Sequence, residues 1–400
     1  WLSFDLTDTT YNTIYATIGR HSSYYRTGGI LGGYYKTTTG GKSWKRYDIG
    51  AATGDSSTSG ISLNSLPVSA IVAKGNTVVV SVEDSSFSGG NSAYQKGGIY
   101  RSTNGLGTGW AKISTISPTG NSCNALVVDK LNSDVLYCSS LGGGIYRSAD
   151  LGATWSILHS SSMTGDGLHL HNQITTNAGR VRLATGGALN GSAYSTLWVL
   201  ISEANGYGAH VYQCIPSATA NQSTWKYLYT PVTADTGGEQ SLTPTTTKTT
   251  TIGSPVFKSG GQGHIHTSLH CDTTNPNIVY VGGDRQPGGL PNSLGATNWT
   301  ARLFMGNATL TVQTYAQWQA ANDSTLTNSP WSSLTHVGTS NNSSPHADSR
   351  FMTQDKNGNL IETSDGGVYK RTLSGSSPNP TTQPNAIGGK WISLIGDLSC

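Results

Sequence analysis

The fold of this chain is decided by residues 146–155, whose sequence is YRSADLGATW. The carboxylate of Asp150 can cap the backbone of a tight turn, and Gly152 can take a positive φ. Trp155 then returns to the sheet as a large apolar anchor. Residues 35–44 and 100–110 repeat the same order of aromatic, basic, turn and tryptophan residues. The repeated segment therefore predicts a turn that connects two strands of a sheet, which is a folding element and not a catalytic one.

Tryptophan recurs at the start of a short apolar strand in six places, namely at Trp44, Trp110, Trp155, Trp225, Trp331 and Trp391. The best-defined repeat has apolar runs at 124–129, 135–137 and 144–147, and a fourth run follows Trp155. Four strands per repeat are typical of a propeller blade. We predict an all-β, six-bladed β-propeller that uses 1–400 as one domain, with the alternative that these blades are part of a seven-bladed or larger propeller.

The tryptophans are farther apart than the roughly 40 to 45 residues that a bare four-stranded blade needs. We place the excess in long loop insertions near 232–262 and 286–330. The first contains a threonine-rich tract at 243–251, which is typical of a mobile, O-glycosylated loop.

The composition excludes two classes of partner. The 24 Lys and Arg residues nearly balance 21 Asp and Glu residues, and no basic block occurs, so we expect no nucleic-acid binding. The longest apolar run, 197–201, is far shorter than the roughly 20 residues that cross a bilayer, so we expect no membrane span. The 51 glycines and the low charged fraction of 11% are typical of a turn-rich β protein.

A cysteine pair and several acceptor sequences for N-glycosylation predict a secreted, extracellular glycoprotein. Cys123 and Cys138 flank a turn and are expected to form a disulfide across a hairpin in an oxidising compartment. The chain begins and ends within repeat-like sequence, so we expect a processed product or a piece of a longer protein. Acceptor sequences for N-glycosylation occur at Asn190, Asn221, Asn298, Asn307, Asn322, Asn341 and Asn342.

Residues 148–155 carry the full S-x-D-x-G-x-T-W pattern, and the chain resembles the sialidase-type Asp-box (BNR) repeat proteins. Through 263–286 and 345–369 it is more closely similar to long secreted Asp-box proteins of unassigned activity. The resemblance spans nearly the whole chain and implies the propeller fold. The Asp-box occurs in hydrolases, lyases, sorting receptors and binding proteins, so it implies no particular chemistry. Sialidase activity is disfavoured because the chain has no Arg-Ile-Pro stretch.

The candidate site lies in the second half of the chain. The first strand of a propeller blade lines the central channel, and residues at i and i+2 share one side of a strand. Repeats four to six carry polar residues with this spacing where such strands are expected, whereas repeats one to three have no histidine there. We assign candidate catalytic roles to His266, His346, Asp348 and Arg350, and candidate substrate-binding roles to His169, His171, His264, Asp284 and Arg285.

Three interpretations of these residues stay open. The histidines can serve as general acid and base, and Arg350 or Arg285 can pair with a sugar carboxylate, which favours cleavage of an acidic polysaccharide. The same histidines with Asp348 can instead hold a divalent metal, although no compact metal-ligand spacing is present, so we assign no cofactor. Equally open is a structural role, in which these groups pack near the axis and hydrogen-bond to the backbone.

The function expected from the sequence is that of an extracellular carbohydrate-active or glycan-binding propeller. If it is an enzyme, we expect a polysaccharide lyase or a glycoside hydrolase. One alternative is a structural module of an extracellular filament, appendage or cell-wall assembly, bound to other copies of itself or to matrix components. The other alternative is a noncatalytic lectin.

Overall fold

A computed structural model describes residues 1–18, 33–47, 67–83, 97–105, 109–113, 116, 123–204, 206, 209–228, 262–263, 265–285, 300–309, 330–336, 339–372 and 389–395. The chain divides into two compact units. Unit 1 comprises Trp1–Ser161, Ile174–Thr176 and Pro216–Ser223, and unit 2 comprises Ser162–Gln173, Asn177–Ile215 and Thr224–Cys400. The predicted threonine-rich tract and most of both predicted insertions lie outside the described residues.

Unit 1 contains three four-stranded antiparallel sheets, each formed by consecutive strands. Blade 1 is β1 (Leu2–Phe4), β2 (Ile14–Thr17), β3 (Tyr34–Thr37) and β4 (Lys45–Tyr47). Blade 2 is β5 (Val68–Lys74), β6 (Thr77–Val82), β7 (Gly98–Ser102) and β8 (Ala111–Lys112). Blade 3 is β9 (Ala125–Val128), β10 (Leu136–Ser140), β11 (Gly144–Ser148) and β12 (Ser156–Ile157).

Unit 2 contains three further sheets of the same topology. Blade 4 is β13 (Ala178–Thr185), β14 (Leu197–Glu203), β15 (Ala209–Ile215) and β16 (Thr224–Leu228). Blade 5 is β17 (Ser268–Cys271), β18 (Ile278–Arg285), β19 (Ala301–Asn307) and β20 (Trp331–Ser333). Blade 6 is β21 (Phe351–Gln354), β22 (Leu360–Ser364), β23 (Gly367–Thr372) and β24 (Lys390–Ser393). Six four-stranded blades of an all-β propeller are thus present, as the repeat predicts.

The apolar cores of both units lie between neighbouring blades. Middle strands such as β6 and β14 are buried on both sides, which explains their nearly continuous apolar sequences. In unit 1, Ile71, Val80 and Tyr34 belong to one cluster formed by blades 1 and 2. In unit 2, Trp331 packs between blades 4 and 5, and Trp391 packs between blades 5 and 6. Blade stacking therefore buries the surface that a single sheet leaves exposed.

The turn at 148–155 has the geometry that its sequence predicts. The Asp150 carboxylate accepts hydrogen bonds from the backbone N–H (2.8 Å) and hydroxyl (2.6 Å) of Thr154. Gly152 has a φ of 81°, and its carbonyl accepts a hydrogen bond from the Trp155 indole at 3.0 Å. Five of the six predicted tryptophans are buried, whereas Trp44 is 42% exposed.

The predicted disulfide between Cys123 and Cys138 is wrong for this structure, in which both residues are buried free thiols. In the hairpin of β9 and β10, Cys138 lies opposite Leu126. Cys123 precedes β9, and its backbone N–H donates to the Val82 carbonyl of blade 2 at 3.1 Å. Burial raises the pKa of the Cys123 thiol to about 12, which disfavours the reactive thiolate.

The predicted glycosylation sites differ in accessibility. Asn307 lies in β19 with 5% of its surface exposed, and its side-chain oxygen accepts a hydrogen bond from the Thr309 backbone at 2.8 Å. Glycosylation at Asn307 is therefore disfavoured, because the transferred sugar needs an accessible amide. Asn298 and Asn322 lie outside the described residues. The exposed predicted sites are Asn190, Asn221, Asn341 and Asn342.

A short helix, α1 (Asp166–Asn172), replaces the strand that was predicted to carry His169 and His171. A π-helical turn follows at Gln173–Asn177, and the first strand of blade 4 begins only at Ala178. The Asp166 carboxylate accepts a hydrogen bond from the Tyr227 backbone at 3.0 Å, which fastens α1 to β16. A 3-10 turn lies at Ala220–Gln222. Across the residues that the structure describes, no helix is long and apolar enough to cross a bilayer.

Candidate functional site

The candidate site of unit 2 is formed by the segment 344–350, which leads into the first strand of blade 6. The backbone N–H groups of Asp348 and Ser349 donate to Asp284 and Gly283 in β18, at 3.2 and 3.0 Å. The Arg350 backbone N–H donates to Thr363 in β22 at 2.8 Å. The backbone of this segment is thus fixed by blades 5 and 6 together, and it holds the Asp348 side chain at their junction.

His266 lies beside Asp348, with its Nδ1 atom 3.4 Å from the Asp348 Oδ1 atom. His266 is fully buried and precedes β17 by two residues. Asp348 has a φ of 69°, a left-handed conformation that aspartate tolerates better than most residues. The predicted residues His266 and Asp348 are therefore in contact, but both lie just before a first strand and not within it.

Asp284 is the nearest carboxyl neighbour of Asp348. It lies near the end of β18 and is 3% exposed. Burial raises the pKa of Asp348 to about 8, and the charge of Asp284 and a hydrogen bond with it act in the same direction. Asp365 raises this pKa further, whereas Arg350 lowers it. A buried and a half-buried carboxyl group that share a hydrogen bond resist simultaneous ionisation.

Arg350 makes an ion pair with Asp365, in the turn between β22 and β23. Its Nε and Nη2 atoms donate to Asp365 Oδ1 at 2.9 and 2.8 Å. This contact uses the guanidinium that the sequence analysis assigned to a sugar carboxylate. His346 is half-buried and packs against Gly366, where an added Cβ would lie 2.4 Å from the His346 side chain.

Glu362 is a further carboxyl group at this junction. It lies in β22, is fully buried, and its pKa is raised well above the ordinary value, chiefly by burial. The charges of Asp365 and Asp348 contribute to this increase. Neither carboxylate oxygen of Glu362 has a hydrogen-bond partner within ordinary distance and angle limits among the described residues. We define the acidic cluster as His266, Asp284, Asp348, Glu362 and Asp365.

The structure thus brings some predicted residues together and separates others. His266, Asp284, Asp348 and Arg350 lie within or against the acidic cluster, and His346 adjoins its Asp365 turn. Arg285 is half-buried at the end of β18. His264 lies outside the described residues. Glu362 and Asp365 were not among the predicted site residues, although Asp365 begins an Asp-Gly-Gly turn within the 345–369 segment.

His169 belongs to a separate network in blade 4. Its Nδ1 atom is 2.7 Å from the Tyr212 hydroxyl, and its ring packs edge-on against His210 and Tyr227. Burial lowers the pKa of His169 to about 3, and the nearby His210 lowers it further. A permanently neutral, packed imidazole is expected to stabilise α1 and not to bind substrate. His171, on the same helix, is half-buried.

The network predicts a loss of stability in mild acid. Unfolded His169 titrates near 6.5 but folded His169 near 3, so the unfolded state gains a proton first as the pH falls. This contribution is complete above pH 6.5 and should fall by about 3 kcal/mol by pH 4. We expect His169→Gln to unfold with a shallower pH dependence than wild type in urea titrations between pH 7 and pH 4.

His171→Gln is the matched control, because it removes an imidazole from the same helix outside the network. It should keep the steep pH dependence of the wild type. Equal slopes for wild type and His169→Gln would show that His169 carries a proton in the folded state and would contradict the prediction.

The acidic cluster offers two kinds of chemistry. Carboxyl groups and an imidazole held together can donate and accept protons or hydrogen-bond to sugar hydroxyls. The same oxygen and nitrogen atoms are also ligands for divalent cations. The surrounding burial strengthens either interaction, because nearby water is scarce.

Comparison with known proteins supports the fold. No protein-family model and no curated protein sequence matches the chain. The chain is similar to the GH74 enzyme of Niastella koreensis, with a TM-score of 0.50 and 16% identity over 98% of this chain and 46% of that one. The chain therefore spans less than half the length of that enzyme. This similarity supports the propeller fold alone, and membership of the Asp-box family stays a prediction.

Two more distant similarities were also found. The GH74 xyloglucanase from Xanthomonas campestris is 15% identical, with a TM-score of 0.35 over 98% of this chain and 49% of that one. An auxiliary nutrient binding protein from Bacteroides thetaiotaomicron is 10% identical, with a TM-score of 0.43 over 90% of this chain and 65% of that one. Neither similarity narrows the function.

Proposed function

We propose that this chain is a secreted protein that binds or cleaves glycans through the acidic cluster of blades 5 and 6. The observation that carries the proposal is the convergence of four carboxyl groups and an imidazole from separate segments at one blade junction. Burying carboxyl groups is costly, and buried, perturbed carboxyl groups concentrate at functional sites. The exposed predicted sites of N-glycosylation in unit 2, Asn190, Asn341 and Asn342, are in keeping with secretion.

The comparison supports this proposal only at the level of fold. The Niastella koreensis protein is a GH74 enzyme, and GH74 is a family of glycoside hydrolases. Hydrolysis by a pair of carboxyl groups is therefore one chemistry that a propeller of this kind can support. Because the chain covers less than half of that enzyme, glycoside hydrolysis is here a proposal and not an inherited activity.

The charges of the cluster favour an uncharged glycan. Four carboxyl groups lie near the guanidinium of Arg350, and that guanidinium already binds Asp365. An acidic polysaccharide would have to displace Asp365 to reach Arg350, and its charge would further oppose ionisation of the nearby carboxyl groups. The acidic substrate expected from the sequence stays a hypothesis that the local charge disfavours, and a neutral polysaccharide is our first choice.

The test is an incubation of the full chain with matched panels of neutral and acidic polysaccharides, measuring release of reducing ends and retardation in affinity gels. We expect wild type to cleave or bind a neutral glycan. In Arg350→Ala and His346→Ala, the rate of cleavage or the affinity for that glycan should fall at least tenfold. His171→Gln, in helix α1 and outside the acidic cluster, should behave as wild type. Binding without release of reducing ends would identify a lectin.

Two results would contradict the proposal. The first is no binding and no cleavage for any glycan by folded wild-type protein. The second is an activity that Arg350→Ala and His346→Ala retain in full, which would place glycan binding elsewhere in the chain.

A structural module that assembles with its own copies is a second candidate, favoured by the exposed apolar residues of blade 1. Leu2 is 68% exposed, Tyr11 66% and Phe4 49%. Such a patch is typical of an interaction surface. Sedimentation velocity across a hundredfold concentration range should show self-association that Leu2→Ser with Phe4→Ser abolishes. A monomer at all concentrations would remove this candidate.

A further inference from the structure

We propose that His266, Asp348 and Asp365 bind one divalent metal ion of the Zn²⁺ or Mn²⁺ class. This inference goes beyond glycan recognition and holds whether or not the chain acts on glycans. The site combines one imidazole nitrogen with carboxylate oxygens. Mixed nitrogen and oxygen ligands favour these ions over Ca²⁺, which prefers oxygen ligands alone.

The ligand atoms already lie close to a binding geometry. One ligand atom from each of the three residues lies within 4.8 Å of the others. Metal bonds of about 2.1 Å in a tetrahedral site place two ligand atoms about 3.4 Å apart. The separation between His266 Nδ1 and Asp348 Oδ1 is 3.4 Å. Only Asp365 needs a small side-chain adjustment, and its position in an exposed turn allows it.

Glu362 provides an independent reason to place a cation here. It is fully buried, and within ordinary distance and angle limits neither of its oxygens accepts a hydrogen bond from the described residues, although the nearby Ser349 hydroxyl lowers its pKa. The neighbouring Ser349 hydroxyl is 2.6 Å from the hydroxyl of Ser268. A buried carboxylate without a compensating partner costs several kcal/mol. Glu362 lies close enough to Asp348 and Asp365 for their charges to interact, so one cation between them would stabilise all three.

The protein's own cation does not complete this compensation. Arg350 binds the Asp365 carboxylate from one side, and Asp365 Oδ1 receives both of its hydrogen bonds. Among the described residues, no hydrogen bond reaches the other Asp365 oxygen, so it can bind a second partner. Asp284 is hydrogen-bonded with Asp348. In metal sites, such a second carboxyl group orients the ligand carboxylate and tunes its affinity.

The test uses the full chain, freed of metal by a chelator and then dialysed, titrated with ZnCl₂ and MnCl₂ in a calorimeter without any sugar. We expect one ion per chain, with affinity reduced at least tenfold in Asp348→Asn and in Asp365→Asn. CaCl₂ should bind at least tenfold more weakly. Circular dichroism establishes that each variant is folded, and His266→Gln serves as a third variant if either aspartate change prevents folding.

Two controls exclude adventitious surface binding. Asp355→Asn removes a carboxylate that caps the turn between β21 and β22 and pairs with Lys370, outside the cluster. His171→Gln removes a half-buried imidazole of α1. Both control variants should bind Zn²⁺ and Mn²⁺ with the affinity of the wild type. No binding by wild type, equal binding by the cluster variants, or equal loss in the controls would overturn the proposal. Because no glycan is present, failure of the glycan assay leaves this result interpretable.

Discussion

Replacing Trp391 by alanine should lower the free energy of unfolding by about 3–5 kcal/mol. Trp391 opens the outer strand of blade 6 and is 2% exposed. It packs with residues of blades 5 and 6, and its indole donates to the Leu334 carbonyl at 2.8 Å. The substitution removes a large apolar surface, leaves a cavity between the two blades, and loses the hydrogen bond to that buried carbonyl. Urea unfolding followed by far-ultraviolet circular dichroism measures the change.

Trp44→Ala is the matched control for this prediction. Trp44 has the same place in its repeat, but its indole donates to Gly41 in its own turn, at 3.1 Å, whereas the Trp391 indole donates to Leu334. It is 42% exposed, so its removal should cost about 0.5 kcal/mol or less. Equal losses for the two variants would show that burial between blades does not determine the contribution of these tryptophans.

Blade architecture was predictable because its signals are local. The turn residues Ser148, Asp150 and Gly152 interact with one another within five positions, so their spacing alone predicts the geometry. The tryptophans then mark the start of each outer strand. The exposure of Trp44 was not predictable in this way, because it depends on which residues of other strands cover the indole.

Three of the five residues of the acidic cluster, His266, Asp284 and Asp348, were predicted from the sequence, and the other two depend on how strands align. His266, Asp348 and Arg350 lie in segments leading into first strands, so their convergence followed from the repeat. Glu362 appears in the sequence as one of three consecutive polar residues in the strand LIETS, and nothing distinguishes it from the other two. Its burial next to Asp348 depends on the packing of β22 against the 344–350 segment, which spacing does not determine.

Two wrong predictions have the same physical origin. Histidines at i and i+2 fit a strand, yet 166–172 is helical, and the contact between Asp166 and Tyr227 that fastens this helix is 61 positions apart in sequence. Cys123 and Cys138 flank a turn, yet the register places Leu126 opposite Cys138. In both cases a long-range contact determined a conformation that the local sequence left open.

Replacing Gly282 by alanine should destabilise the chain by about 2–3 kcal/mol and disrupt the acidic cluster. Gly282 lies in β18, where an added Cβ would come within 2.4 Å of the hydroxyl oxygens of Ser268 and Ser349 and 2.7 Å of the Ser349 Cβ. Ser349 cannot easily withdraw, because its backbone N–H donates to Gly283 at 3.0 Å. The methyl group should therefore push the 344–350 segment away from blade 5, and Asp348 with it.

Gly187→Ala is the control, because its added Cβ would meet nothing closer than 3.8 Å, an ordinary contact with the Pro276 ring. We expect its unfolding free energy to lie within about 0.5 kcal/mol of wild type. Gly282→Ala should also lower Zn²⁺ affinity at least tenfold, since it moves Asp348 relative to His266. A Gly282→Ala protein with wild-type stability would show that the two serines separate without cost. The junction of blades 5 and 6 would then be too loosely held to fix the geometry of any ligand.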